Sequence, residues 1–130
     1  MNKLNKDVRT RDELIFGEYD REAYSGGVRH FEKLSLSTLE KLVAQNFIDL
    51  DDQQNNCPCV KAILGFMRNY PDYTAHGYAV SVEREDYRVS LEGVAKNREA
   101  DTIEELKGFT EMFRFADDFC TDGEMYCWFD

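Results

Sequence analysis

Cys57-Pro58-Cys59 is the densest concentration of reactive side chains in the sequence. A thiol at a helix start is drawn toward its thiolate, because unpaired amides and the helix dipole favour negative charge there. With His76 as base, Cys57 or Cys59 would be a nucleophile centre. The spacing argues against it. One residue separates the two thiols where thioredoxin-like dithiols have two, and no βαβ unit surrounds them. Pro58 also has a structural reason to be there, since the first amide of a helix needs no partner.

Zinc is the second chemistry these residues could carry. Cys57, Cys59, Cys120 and Cys127, with His76 in reserve, hold enough soft ligands for a tetrahedral site. The pairs are separated by one and by six residues, which is not zinc-ligand spacing, and Cys120 falls on an apolar stripe where cysteine acts as a small filler. Asp49, Asp51, Gln53 and Asn55 alternate like the first half of a calcium loop. Gln54 then stands where that loop needs glycine, and Val60 where it needs the bidentate glutamate. His76 reads as a hydrogen-bonded member of the core edge, and His30 has no partner in sequence. No triad assembles, and Gly26-Gly27 lacks the lysine and helix start of a phosphate loop. The expectation is no catalytic residue, no metal and no cofactor.

The elements that must position these residues follow from periodicity. Residues 1–12 are polar and read as a loose segment before a single domain over 13–130. Leu14-Ile15-Phe16 reads as a short strand ending at Gly17, and Tyr24-Ser25-Gly26-Gly27 as a turn. A first helix begins near Ser37, where Ser37-Thr38-Leu39-Glu40 has capping-box spacing, and continues through Leu42, Val43 and Phe47. A second starts at Pro58, buries Val60, Ile63, Leu64, Met67 and Tyr70, and stops at Pro71. Tyr73 to Ala95 is a hairpin around Glu83-Arg84-Glu85-Asp86. Its register places Val82 opposite Tyr87, Val80 opposite Val89, Tyr78 opposite Leu91 and His76 opposite Gly93, with those large side chains inward. A third helix opens at Thr102-Ile103-Glu104-Glu105 and carries Leu106, Phe109, Phe113, Ala116 and Cys120 on one stripe. Met125 to Phe129 closes the sheet as a strand. The order (β)ααββαβ is an α+β domain, with three helices on a mainly antiparallel sheet of three to four strands. A helix running straight back along that sheet separates its ends by roughly 18 Å, so His76 is expected more than about 8 Å from both Cys57 and Cys59.

Composition narrows the function classes. The chain has 130 residues, 42% hydrophobic and 13% aromatic, and a formal net charge of −10. That many rings can bury enough apolar surface to exclude disorder, and no apolar run nears the roughly 20 residues of a membrane span. The N-terminus lacks the apolar core of a signal peptide, so free thiols in a reducing cytoplasm are expected. Residues 1–33 balance seven basic against seven acidic side chains, whereas residues 99–130 hold ten acidic and two basic ones. That field repels phosphates, which excludes direct nucleic-acid binding and favours a basic protein partner or a homodimer contact.

The runs Phe47-Ile48-Asp49 to Asn55-Asn56, Tyr70 to Ser81, Asp86-Tyr87-Arg88-Val89 and Tyr126-Cys127-Trp128-Phe129-Asp130 carry a resemblance over residues 31–130. The chain resembles small uncharacterised acidic proteins from genomes and mobile elements of gut anaerobic bacteria. The resemblance implies a bacterial cytoplasm and an accessory role in element maintenance or defence; it implies no activity.

The leading expectation is a non-enzymatic protein-binding or regulatory module. Its interaction face would combine Glu104, Glu111 and Asp118 with Met112, Phe115 and Phe119 of the third helix. One alternative is a thiol- or zinc-dependent site centred on Cys57 and Cys59. The other is a DNA mimic that inhibits a nucleic-acid-binding enzyme, with Glu104, Glu111 and Asp118 as a row of phosphate-like charges.

Overall fold

The computed structural model describes residues 3–130; Met1 and Asn2, the start of the segment expected to be loose, lie outside the described residues. The elements are α1 (Val8–Phe16), a 3-10 turn (Arg21–Ala23), β1 (Val28–Leu34), α2 (Leu36–Ala44), α3 (Val60–Asn69), β2 (Thr74–Val80), β3 (Val89–Lys96), α4 (Ile103–Phe113), β4 (Asp118–Cys120) and β5 (Met125–Trp128). The strands form one antiparallel sheet in the order β1-β2-β3-β5-β4. The α+β class is as expected from the sequence, but with five strands and four α-helices rather than three to four and three.

Leu39 and Leu42 of α2, Ile63 and Met67 of α3, and Phe109 and Phe113 of α4 share one core with Phe31, Ala75, Leu91, Val94 and Met125 of the sheet. Phe66 is its aromatic centre, with edge-on contacts to Tyr73 at 4.8 Å and Phe113 at 5.3 Å between centroids. Among the described residues, no helix is long and apolar enough to cross a membrane.

The N-terminal expectations are corrected. Leu14-Ile15-Phe16 is the end of α1, not a strand, and residues 8–12 are its first turns. Asp7 caps the helix by accepting from Thr10 N, and Gly17 ends it at φ 84°. Arg11 and Asp12 are fully buried. Arg11 Nε donates to Asp12 Oδ1 (2.8 Å), Nη1 to the Val80 carbonyl (3.0 Å) and Nη2 to Tyr24 Oη (2.8 Å), while Tyr24 donates to Asp12. The guanidinium also lies 4.7 Å from the Tyr87 ring centre. This network ties α1 to the loop end of the β2–β3 hairpin.

A second buried pair fixes α4. Lys96 Nζ lies 2.6 Å from Glu105 Oε2, Tyr73 Oη donates to the same oxygen (2.8 Å), and Asp101 N donates to Oε1 (3.0 Å). Burial resists the charge on Glu105, but Lys96 and these two donors outweigh it and hold its pKa below the ordinary value. The Thr102 cap forms as expected, accepting from Glu105 N at 3.0 Å.

Three further boundaries move. Helix α2 is capped by Ser35, which accepts from Thr38 N, rather than by Ser37. Helix α3 begins at Val60, so Pro58 precedes it and Cys59 occupies the N-cap without a side-chain bond. Helix α4 stops at Phe113, because residues 118–120 leave it to pair with β5. Leu106 is therefore 38% exposed, and Cys120 lies in an edge strand rather than on a buried helical stripe.

The hairpin register holds at His76↔Gly93 and slips beyond it. Gly77 pairs with Leu91, Tyr78 with Ser90 and Ala79 with Val89, so Glu92 is an extra residue bulging from β3. On β2 the inward residues are Tyr73 and Ala75, with Gly77 and Ala79 in the same alternation, while His76 and Tyr78 point away from the helices. Tyr78 thus stands outward against expectation, whereas Val80 is fully buried and Val89 and Leu91 join the core as expected.

Candidate functional site

The small residues Ala75, Gly77 and Ala79 alternate on the helix side of β2, so Thr74, His76 and Tyr78 stand on the opposite, helix-free face. Strand β5 sends Met125 and Cys127 into the core and Tyr126 and Trp128 to the same outer face. Strand β1 adds His30 and Glu32, and the β3 bulge adds Glu92. These side chains line a groove of about 340 Å³.

His76 is the keystone of the groove. Gly93, opposite it, leaves room for the ring to cross β3: a Cβ there would lie 2.0 Å from the Cys127 carbonyl oxygen and 2.7 Å from His76 Nε2. The imidazole Nε2–H donates to that carbonyl at 2.9 Å, and the ring stacks on Tyr126 at 5.1 Å and 14°. Regular β3–β5 pairing would give the carbonyl to Val94 N–H, which bonds Cys127 Sγ instead at 3.4 Å. The side chain of β2 thus replaces a backbone donor of β3.

Burial lowers the His76 pKa, against the opposing pull of the Cys127 carbonyl and the Glu32 charge, so the ring is neutral at pH 7. A native pKa below the unfolded value of about 6.5 gives stability that is fully present above that pH and lost as pH falls toward the native pKa. His76→Gln is expected to lose about 1–2 kcal/mol at pH 7 in urea denaturation. The gap from wild type should shrink between pH 7 and pH 5. A gap independent of pH would contradict a neutral native His76.

Glu92 is the other unusual group. It keeps only 9% exposure, and among the described residues it forms no ion pair. Among the described residues, no hydrogen bond of ordinary geometry reaches its carboxylate oxygens. Burial raises its pKa, while His30 and the Trp128 indole favour its charge and Asp130 opposes it. A buried carboxylate with no counter-charge is costly unless a ligand or solvent in the groove meets it.

No protein-family model, curated protein or solved structure matches the chain. What the groove can do is therefore decided by its own geometry.

No cysteine among the described residues lines this groove. Cys57 and Cys127 are buried in the core, and Cys59 and Cys120 are half-buried and free. Burial, reinforced by Cys127, Glu92 and Cys59, pushes Cys57 up to about 12. Burial also pushes Cys127 up to about 12 despite its bond with the Val94 backbone. Cys57 precedes the helix N-cap, so the dipole that would have favoured its thiolate does not reach it. With an aromatic disulfide reagent at pH 8, Cys59 and Cys120 should react and Cys57 and Cys127 should wait for denaturant. Four fast thiols would contradict this burial. Among the described residues, no three His, Cys, Asp or Glu side chains gather as metal ligands. The Asp49–Asn55 run is a polar connection in which Asp49 Oδ1 accepts from Asp51 N at 3.0 Å.

The acidic and aromatic residues expected to form one face are divided. Glu104 and Glu111 are exposed on α4, but Asp118 lies in β4, so the three do not form one helical row. Met112 packs against the core, Phe119 meets Phe109 at a tilt with 5.4 Å between centroids, and Phe115 is 69% exposed beneath the Arg114 guanidinium. Sequence reasoning passed over Glu92, Tyr126 and Trp128. The signal was a lone glutamate before a glycine inside a run that alternates Val89, Leu91 and Val94 with smaller or polar residues.

Proposed function

We propose that this protein is a non-enzymatic binding module that receives a basic segment of another protein on the helix-free face of its sheet. The observation that carries the reading is the groove over β2, β3 and β5, where aromatic walls surround a buried carboxylate without a counter-charge. The net charge of −10 supports it, because a field of that sign steers cationic partners toward the surface. Aromatic rings and acidic groups together fit Lys and Arg, whose aliphatic stems lie on apolar surface while the head finds charge.

Backbone-amide NMR with a twelve-residue peptide carrying four Lys and Arg tests the reading. Shifts on Gly93, Ala95, Tyr126 and Trp128 that weaken between 50 and 300 mM salt are expected. Shifts confined to α4 would assign binding to the Glu104–Glu111 surface and overturn the sheet-face reading, as would no shifts at all.

A further inference from the structure

The geometry points to a specific site for an organic cation, the ammonium or guanidinium head of a Lys or Arg side chain, with Glu92 as its counter-ion and Tyr126, Trp128 and His76 as its walls. This inference rests on the binding-module reading and adds the chemical group recognised and the residue that recognises it.

Three observations carry it. Among the described residues, Glu92 is a carboxylate with 9% exposure that lines the groove and forms no ion pair, Lys33 of the same lining included, whereas the other buried charged residues pair, Arg11 with Asp12 and Lys96 with Glu105. A protein that pairs its buried charges elsewhere leaves this one for a ligand. The rings of His76, Tyr126 and Trp128 wall the groove around Glu92, with Glu32 and Lys33 exposed at its β1 side, and no three metal-ligating side chains gather among the described residues. That composition suits a weakly hydrated organic cation better than a metal ion, which needs several hard ligands. The volume of about 340 Å³ is in the range of sites for small molecules or single side chains.

His76 serves here as a positioning residue. Its Nε2–H is committed to the Cys127 carbonyl, and its ring holds Tyr126 in a stack that forms one wall. Because it stays neutral, it does not repel an incoming cation. Glu32 lines the same groove and is exposed, so it adds attraction at longer range than Glu92 and is more strongly screened.

The test titrates the full chain with N-acetyl-lysine methylamide, N-acetyl-arginine methylamide and N-acetyl-norleucine methylamide, which keeps the aliphatic stem of lysine without the ammonium, following backbone amides and the Trp128 indole by NMR. The lysine and arginine amides should shift Gly93, Tyr126 and the Trp128 indole, and the norleucine amide should not. Glu92→Gln should weaken both cations about thirtyfold or more, while Glu32→Gln changes them less than fivefold. Glu92→Gln removes an unpaired buried charge, so it should fold at least as stably as wild type, which separates lost binding from lost structure. Equal shifts from lysine and norleucine would overturn the inference, as would equal binding by wild type and Glu92→Gln. A basic peptide that binds while neither amide enters the groove would overturn this site and leave the binding-module reading standing. Amides that bind through Glu92 while no basic peptide does would do the reverse.

Discussion

Arg11→Ala should destabilise the protein by about 3–5 kcal/mol, the scale expected when one partner of a buried ion pair is removed. Arg11 and Asp12 have no exposure, so without the guanidinium the carboxyl group is left in a low-dielectric setting with Tyr24 as its remaining donor. The Val80 carbonyl and the face of Tyr87 lose their partner in the same step. Asp12→Asn should be milder: it leaves the guanidinium without a counter-charge, but Arg11 keeps the Val80 carbonyl, Tyr24 Oη and the Tyr87 face, and the amide oxygen still accepts from Tyr24. The double change Arg11→Met with Asp12→Leu should recover part of the loss, leaving Tyr24 and Val80 unsatisfied. Urea denaturation of the four proteins measures all of this. A loss below about 1 kcal/mol for Arg11→Ala would mean that α1 is not held by this network.

The same cluster explains why α1 was illegible. A helix is recognised by apolar residues recurring at its period, but the fully buried positions of Val8–Phe16 are an arginine and an aspartate. Strand β1 was hidden by its bulge. Lys33 adopts φ 56° and the register shifts between Phe31 and Leu34, so the two buried side chains stand three apart rather than two. The two-helix pair, the β2–β3 hairpin and the start of α4 were legible because their buried residues do follow the period and their caps or breakers stand close by. The hairpin face was misread because large side chains were taken as inward. On β2 the inward positions are Ala75, Gly77 and Ala79, too small to give an apolar signal, and at Gly77 a Cβ would stand 1.9 Å from the Ser90 carbonyl oxygen of β3.

The groove follows from that reversal. His76, Tyr126 and Trp128 look like core residues by type, and only the alternation of their neighbours places them on the helix-free face. Glu92 comes there through the bulge, which moves one residue out of the β3 ladder and restores the register at Gly93. Neither a bulge nor a side chain crossing a strand has a pattern in a single sequence, so the site was legible only as an odd Glu-Gly pair.

Gly93→Ala should destabilise the sheet by more than about 3 kcal/mol, at the upper end of overpacking effects. The added Cβ would stand 2.0 Å from the Cys127 carbonyl oxygen, a backbone atom held by β5, and 2.7 Å from His76 Nε2. Either β5 moves away from β3 or the His76 ring leaves its carbonyl, and both outcomes dismantle the groove wall. Gly65→Ala on α3 and Gly108→Ala on α4 are the matched controls, since nothing lies within 4 Å of a Cβ at either position. In those helices alanine should be neutral or stabilise by up to about 1 kcal/mol. Thermal melts separate the three variants, and the tyrosine and tryptophan near-ultraviolet dichroism reports whether the Tyr126 stack survives. Should Gly93→Ala melt with wild type and keep that dichroism, β3 and β5 would have to be farther apart than described, and His76 would not be bridging them.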